Sequence, residues 1–232
     1  MDILLSAQAP KRRGRPPKDG SAHADTRERL LRAGVAILTE KGFAAVGLDE
    51  ILSSVSIPKG SFYHYFGSKD EFGLALIDAY AAYFAAKLDR WFTDAARSPL
   101  QRLSDFVDDA KSGMARHGFR RGCLVGNLGQ EMGVLPEVFR VRLHCVLLDW
   151  QARTAACLNA ARDAGEIAPD EDCGMLATVF WIGWEGAVLR AKLERSPDAL
   201  DIFARGFFAA LRPRRLSASL MPGAPDVRRC PD

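Results

Sequence analysis

The chain has 232 residues, 48% of them hydrophobic and 26% charged, with a formal net charge of +3. That is globular composition, long enough for one large or two small domains. Its five cysteines (Cys123, Cys145, Cys157, Cys173, Cys230) form no CxxC pair, which argues against a disulfide framework or a zinc site, and its longest strongly apolar stretch, 173–184, falls short of the roughly 20 residues that span a bilayer.

The opening "MDILLSAQAP" has an acidic second residue and too short an apolar run for a secretion signal. The expectation is a soluble, cytoplasmic protein with no membrane partner, no metal and no other cofactor. Lys11, Arg12, Arg13, Arg15 and Lys18, set against Asp2 and Asp19, account for the whole positive excess. Residues 1–22 therefore read as a disordered basic arm. Within it, Arg13-Gly14-Arg15-Pro16 has the core of an AT-hook. Glycine lets the backbone lie deep in a narrow minor groove, the arginines follow its negative field, and proline keeps the chain extended. A solvated tail is the other reading of the same charges.

Almost every later segment has a helical period, and none alternates as a strand, so the fold class is all-α. A helix opens at "DTRE", where Asp25 can cap and Glu28 can reach back. Its apolar face carries Leu30, Ala33, Gly34, Ile37 and Leu38, and it stops at Gly42, with Phe43 making the closing contact. Short helices follow at 48–55 and 58–65. Ile51, Leu52, Val55, Phe62 and Phe66 turn inward, which leaves Lys59, Ser61, Tyr63 and His64 outside. These donors suit phosphate oxygens and base edges, although the pattern alone also fits an ordinary αα-turn. Ser68 then caps a long helix with Glu71 completing the box, and Leu74, Ile77, Ala81, Phe84, Leu88 and Trp91 form its stripe. Further helices begin at Pro99 and Pro136 and fill 173–193 and about 197–211. The tail, 212–232, is expected to be disordered.

The stretch "GFRRGCLVGNLGQEMG", residues 118–133, interrupts this pattern. No strand precedes it and no G-K-S/T follows, so it is not a phosphate loop. A nucleophile reading uses Cys123 with His117 as base and Glu131 as orienter, all common residue types. A ligand-pocket reading uses the amides of Asn127 and Gln130. It adds His117, Arg120 and Arg121 as positive charge for a carboxylate, Trp181 and Trp184 as walls, and Glu185 nearby in sequence. On the plainer reading the two tryptophans are core and Cys123 is a small buried residue. Whether Cys123 reacts covalently or only lines a pocket is left open.

"PKGSFYHYFGSKDEF", preceded by "GFAAVGLDEIL", resembles the signature of TetR-type one-component regulators. The resemblance implies a helix-turn-helix DNA-binding domain over 23–70 and an effector-binding and dimerisation domain over 71–211. By position, Lys59, Gly60, Ser61, Tyr63 and His64 fall on the DNA-contacting helix and Lys69 on a phosphate-contacting lysine. Two residues depart from the pattern: Gly47 replaces the usual capping Ser/Thr, and Ser56 replaces a turn glycine. "GMARHGFRRGCLVGNLGQEMG" and "FWIGWEGAVLRAKLE" resemble a narrower group, the acrylate-responsive AcuR-type repressors, themselves similar to NemR-type electrophile sensors. This implies a homodimeric, non-enzymatic repressor on a palindromic double-stranded operator, released by a small unsaturated acid or electrophile such as acrylate. The long helices near 136–163 and 171–193 are expected to build its dimer interface. The alternatives are a repressor of another small-molecule or multidrug response and, remotely, a cysteine-dependent enzyme using Cys123 and His117.

Overall fold

The computed structural model describes residues 20–211, and Arg13, Arg15, the rest of the arm to residue 19 and the tail from 212 lie outside the described residues. Nine helices make up the described part: α1 (Gly20–Lys41), α2 (Leu48–Ser54), α3 (Lys59–Phe62), α4 (Lys69–Phe92), α5 (Pro99–Ala115), α6 (Leu124–Gly129), α7 (Glu137–Asp163), α8 (Cys173–Glu194) and α9 (Asp198–Leu211). None of them is long and apolar enough to cross a membrane.

α1 starts before the expected cap, so Asp25 lies inside the helix. Nothing in "SAHA" breaks a helix, and the His23 ring packs 4.3 Å from Tyr65, which anchors the early turns. Glu28 pairs forward with Arg32 rather than back toward Asp25. The other end falls where expected. Gly42 has φ +84°, its N–H reaches Leu38 O at 3.0 Å, and Phe43 is buried.

Gly47 begins α2 with no side-chain cap, and Ser56 in the turn has φ +55°. A non-glycine residue in that left-handed conformation costs roughly 1–2 kcal/mol. α3 is shorter than the expected 58–65. After Phe62 the chain runs through turns, so that Phe66 can pack on Phe62 and Phe72. Ser68 accepts from the Glu71 N–H at 3.0 Å, while the Glu71 carboxylate accepts from Gly67 N at 2.8 Å. The capping box thus closes one residue earlier than the standard form.

The expected α4 stripe is only partly right. Ile77 and Leu88 are buried, whereas Leu74, Ala81, Phe84 and Trp91 are half-buried, and Phe72, Gly73, Leu76, Tyr80 and Phe92 complete the buried set. A single stripe fails because α4 serves both domains, packing on α1 as well as on α5 and α7. α7 packs on α4, α5, α6 and α8, which makes it the central helix of the larger domain. The core there is aromatic, with Trp150 centred 4.4 Å from Phe84 and 4.8 Å from Trp181. The outer side of α8 carries exposed Met175, Val179, Ile182, Leu189 and Leu193, with Ile202 exposed on α9.

Candidate functional site

The α2–α3 unit is set by an aromatic wedge. Phe62 packs edge-on to Phe72 at 5.5 Å, and both are fully buried. The rings fix α3 against the start of α4 and turn the opposite side of α3 outward. Lys59, Gly60, Tyr63 and His64 are exposed there, Tyr63 by 55%, while Ser61 is half-buried. Lys59 lies 3.0 Å from Asp49. Lys69 is set apart from this group. Its ammonium donates to Phe43 O at 2.9 Å and sits 4.5 Å above the Phe43 ring. It therefore ties α4 to the loop after α1.

The glycine-rich segment meets the end of α1. A helix leaves its last carbonyls without intrahelical donors, and the larger domain supplies them. Gly122 N reaches Thr39 O at 2.9 Å, and Asn127 Nδ2 reaches Leu38 O at 2.9 Å and Thr39 O at 2.8 Å. Lys192 Nζ lies 3.3 Å from Thr39 O and 3.4 Å from Asn127 Oδ1. Just beyond the helix, the Glu131 carboxylate accepts from Phe43 N at 2.9 Å and Ala44 N at 2.7 Å. Arg120 stands 3.6 Å from Glu40. A Cβ at Gly42 would displace the Glu131 carboxylate from its N–H partners, and the φ of +84° itself calls for glycine. Asn127 and Arg120, expected around a carboxylate ligand, thus hold α1, and Gln130 is exposed beside them. The same donors complement the negative end of a helix as readily as an acid, which is why sequence could not separate the two roles.

A buried polar centre lies behind this joint. The Cys123 thiol, 9% exposed as a residue, interacts with the Glu185 carboxyl and the Tyr80 hydroxyl. Burial, and then the Glu185 charge, push the thiol well above its ordinary range. Burial lifts Glu185 to about 7, opposed by its hydrogen bond with Cys123. Glu185 is only partly buried as a residue, but its carboxylate lies against the α6 backbone at Gly126, where a Cβ would push it aside. Tyr80 is likewise raised, by burial first. At neutral pH Cys123 is therefore a thiol, not the thiolate that nucleophilic attack needs.

His117 is exposed, and its Nε2 lies 3.5 Å from Arg121 Nη1. It does not join Cys123, so the pair required by the enzyme reading is not assembled. Trp181 and Trp184 are 1% and 3% exposed within the aromatic core. The Trp181 N–H is taken by Thr154 Oγ1 at 2.9 Å. Two residues of the site, Tyr80 and Lys192, went unnoticed in the sequence, and Glu131 was read there as an orienter for Cys123 rather than as a latch. Tyr80 had a signal, being a polar tip on the apolar side of α4. Lys192 also had one, since it follows Glu185 by two helical turns.

Comparison with known proteins agrees with this arrangement. Residues 30–76 match the family described as "Bacterial regulatory proteins, tetR family", and residues 99–207 match "Tetracyclin repressor-like, C-terminal domain". The chain is 57% identical over 209 residues to the transcriptional regulator AcuR of Cereibacter sphaeroides, covering 89% of this chain and 94% of that protein. It is 34% identical to the HTH-type transcriptional repressor NemR of Escherichia coli K12, covering 76% and 89%. Among solved structures, a regulatory protein TetR from Rhodobacter sphaeroides superposes with a TM-score of 0.77 at 58% identity, covering 78% of this chain and 96% of that one. Escherichia coli NemR in its reduced form gives 0.73 at 30% identity, covering 79% and 95%. With both of its domains matched and close relatives spanning most of its length, the chain belongs to the TetR family of DNA-binding transcriptional regulators.

Proposed function

We propose that the protein is a homodimeric repressor of a palindromic operator, released by a small unsaturated organic acid or electrophile, with acrylate the first compound to try. The observation that carries this reading is the joint at the end of α1. Asn127, Glu131 and Lys192 belong to the larger domain, yet they bind the helix that carries α2 and α3. An effector that favours a different placing of α6 against α8 pulls on that joint and, through it, turns the recognition unit. It shifts the equilibrium only by its difference in affinity between the two states. The Cys123–Glu185–Tyr80 centre lies between these helices and is the proposed sensing point, and its protonated thiol favours reversible binding over addition to a vinyl carbon.

Lys59, Gly60, Ser61, Tyr63 and His64 are the proposed operator contacts. The exposed apolar row on α8, continued by Ile202 of α9, is the proposed two-fold dimer face. α7, expected to share that face, packs on α4, α5, α6 and α8 and keeps Val138, Val141 and Leu148 exposed. A two-fold dimer requires operator half-sites about 34–36 Å apart, or a multiple of that. A gel shift with DNA from upstream of the protein's own gene, with and without sodium acrylate, tests the reading. A sequence-specific complex that acrylate dissolves is expected. Binding that random DNA competes away equally well, or a complex indifferent to acrylate, contradicts it.

A further inference from the structure

A cleft between α1 and α4 shares Tyr80 with the buried centre but is otherwise lined by different residues. Leu31, Val35 and Ala36 face Ala79, Tyr80 and Tyr83 across a cavity of about 540 Å³. Three charged residues line it: Glu28 and Arg32 on α1, and Arg121, which reaches it from the glycine-rich segment. Glu28 and Arg32 neutralise each other one turn apart. Arg121 has no carboxylate partner among the described residues, and its guanidinium approaches only the His117 ring. The cleft therefore combines apolar walls with one uncompensated positive charge.

We propose that this cleft is a second small-molecule site, for an amphipathic organic monoanion of about the size of an aromatic acid. A guanidinium pairs with a carboxylate through two parallel hydrogen bonds, which fixes the ligand's polar end at Arg121. Ala36 and Ala79 leave a gap between the helices, and Tyr80 and Tyr83 offer ring faces to the ligand's body. The volume lies within the range of sites that enclose a ring-bearing ligand, and acrylate, with five heavy atoms, would leave most of it to water. α1 and α4 flank the recognition unit, so a ligand wedged between them acts on the placing of α2 and α3. That consequence rests on the operator reading, whereas binding itself does not.

Calorimetric titration of the full chain with sodium benzoate, and with benzamide as its neutral isostere, separates the two. Saturable benzoate binding is expected, with benzamide and the Arg121→Gln variant each weaker by at least about tenfold, the usual cost of losing a hydrogen bond to a charged group. Ala36→Phe fills the gap and is expected to block binding, while Arg205→Gln, exposed on α9, retains it. Thermal melts check that each variant is folded. Three results would overturn the proposal: no saturable binding by the wild-type chain, undiminished binding by Arg121→Gln, or a loss in Arg205→Gln equal to that in Arg121→Gln. Benzoate binding without any change in operator affinity would leave the site standing and remove its link to DNA.

Discussion

Burial of Glu185 makes stability depend on pH in a definite direction. Its carboxyl rises from the ordinary 4.5 to about 7 in the folded chain. Below about 4.5 both folded and unfolded chains hold the proton, and the group has no cost. Between 4.5 and 7 the unfolded chain releases it first, so stability falls as pH rises, and above 7 the full cost is present. A shift of this size corresponds to roughly 3–4 kcal/mol. Chemical denaturation of Glu185→Gln at pH 8 is therefore expected to show a gain of that order, shrinking as pH falls toward 4.5. A gain that is the same at both pH values contradicts the assignment. Thiol labelling checks the neighbouring group: exposed Cys145 is expected to react well before buried Cys123 and Cys157. Cys123 and Glu185 were legible in the sequence as residue types, but their meeting was not. Adjacent Arg120 and Arg121 show why: one turns to Glu40 and the other to the α1–α4 cleft, a division made by the path of the loop.

At the level of elements, local chemistry marked the ends that the chain itself determines. Gly42 closes α1, Ser68 caps α4 and Pro99 opens α5, each by a backbone or capping preference within a few residues. The ends that tertiary packing determines were misplaced. α1 runs back past Asp25 with His23 against Tyr65, and α3 stops early where Phe66 turns into the aromatic wedge. The joint itself was hidden, because it pairs a helix end with donors far along the chain. Its strength is testable. Glu131→Ala strands the Phe43 and Ala44 N–H groups and is expected to cost about 1–3 kcal/mol in denaturation. Gly42→Ala adds left-handed strain and a collision with Glu131, and is expected to cost at least as much. A neutral result at both positions would mean that the joint bears no load. On the recognition unit, Tyr63→Ala and His64→Ala are each expected to weaken operator binding by roughly 1–3 kcal/mol while the fold persists, read by fluorescence anisotropy. Wild-type affinity in the double variant contradicts the proposed contacts.

Across the whole molecule, the all-α class was plain from periodicity, the division into two domains came only with the resemblance to TetR-type regulators, and the packing of α7 on four other helices was in neither. A long helix apolar on several sides reads equally as interface or interior. The exposed row on α8 is expected to resolve in solution. Ile182→Glu with Leu193→Glu should give monomers by light scattering and lose the operator, while a dimer that survives both changes places the interface elsewhere. The coupling of the two domains through the end of α1 is tested most directly by one anisotropy titration. Labelled operator DNA is bound by wild-type protein and by an Asn127→Ala, Glu131→Ala double variant, and sodium acrylate is then added to each. The wild-type complex is expected to dissociate and the double-variant complex to persist. Equal release of both complexes by acrylate would contradict transmission through this joint.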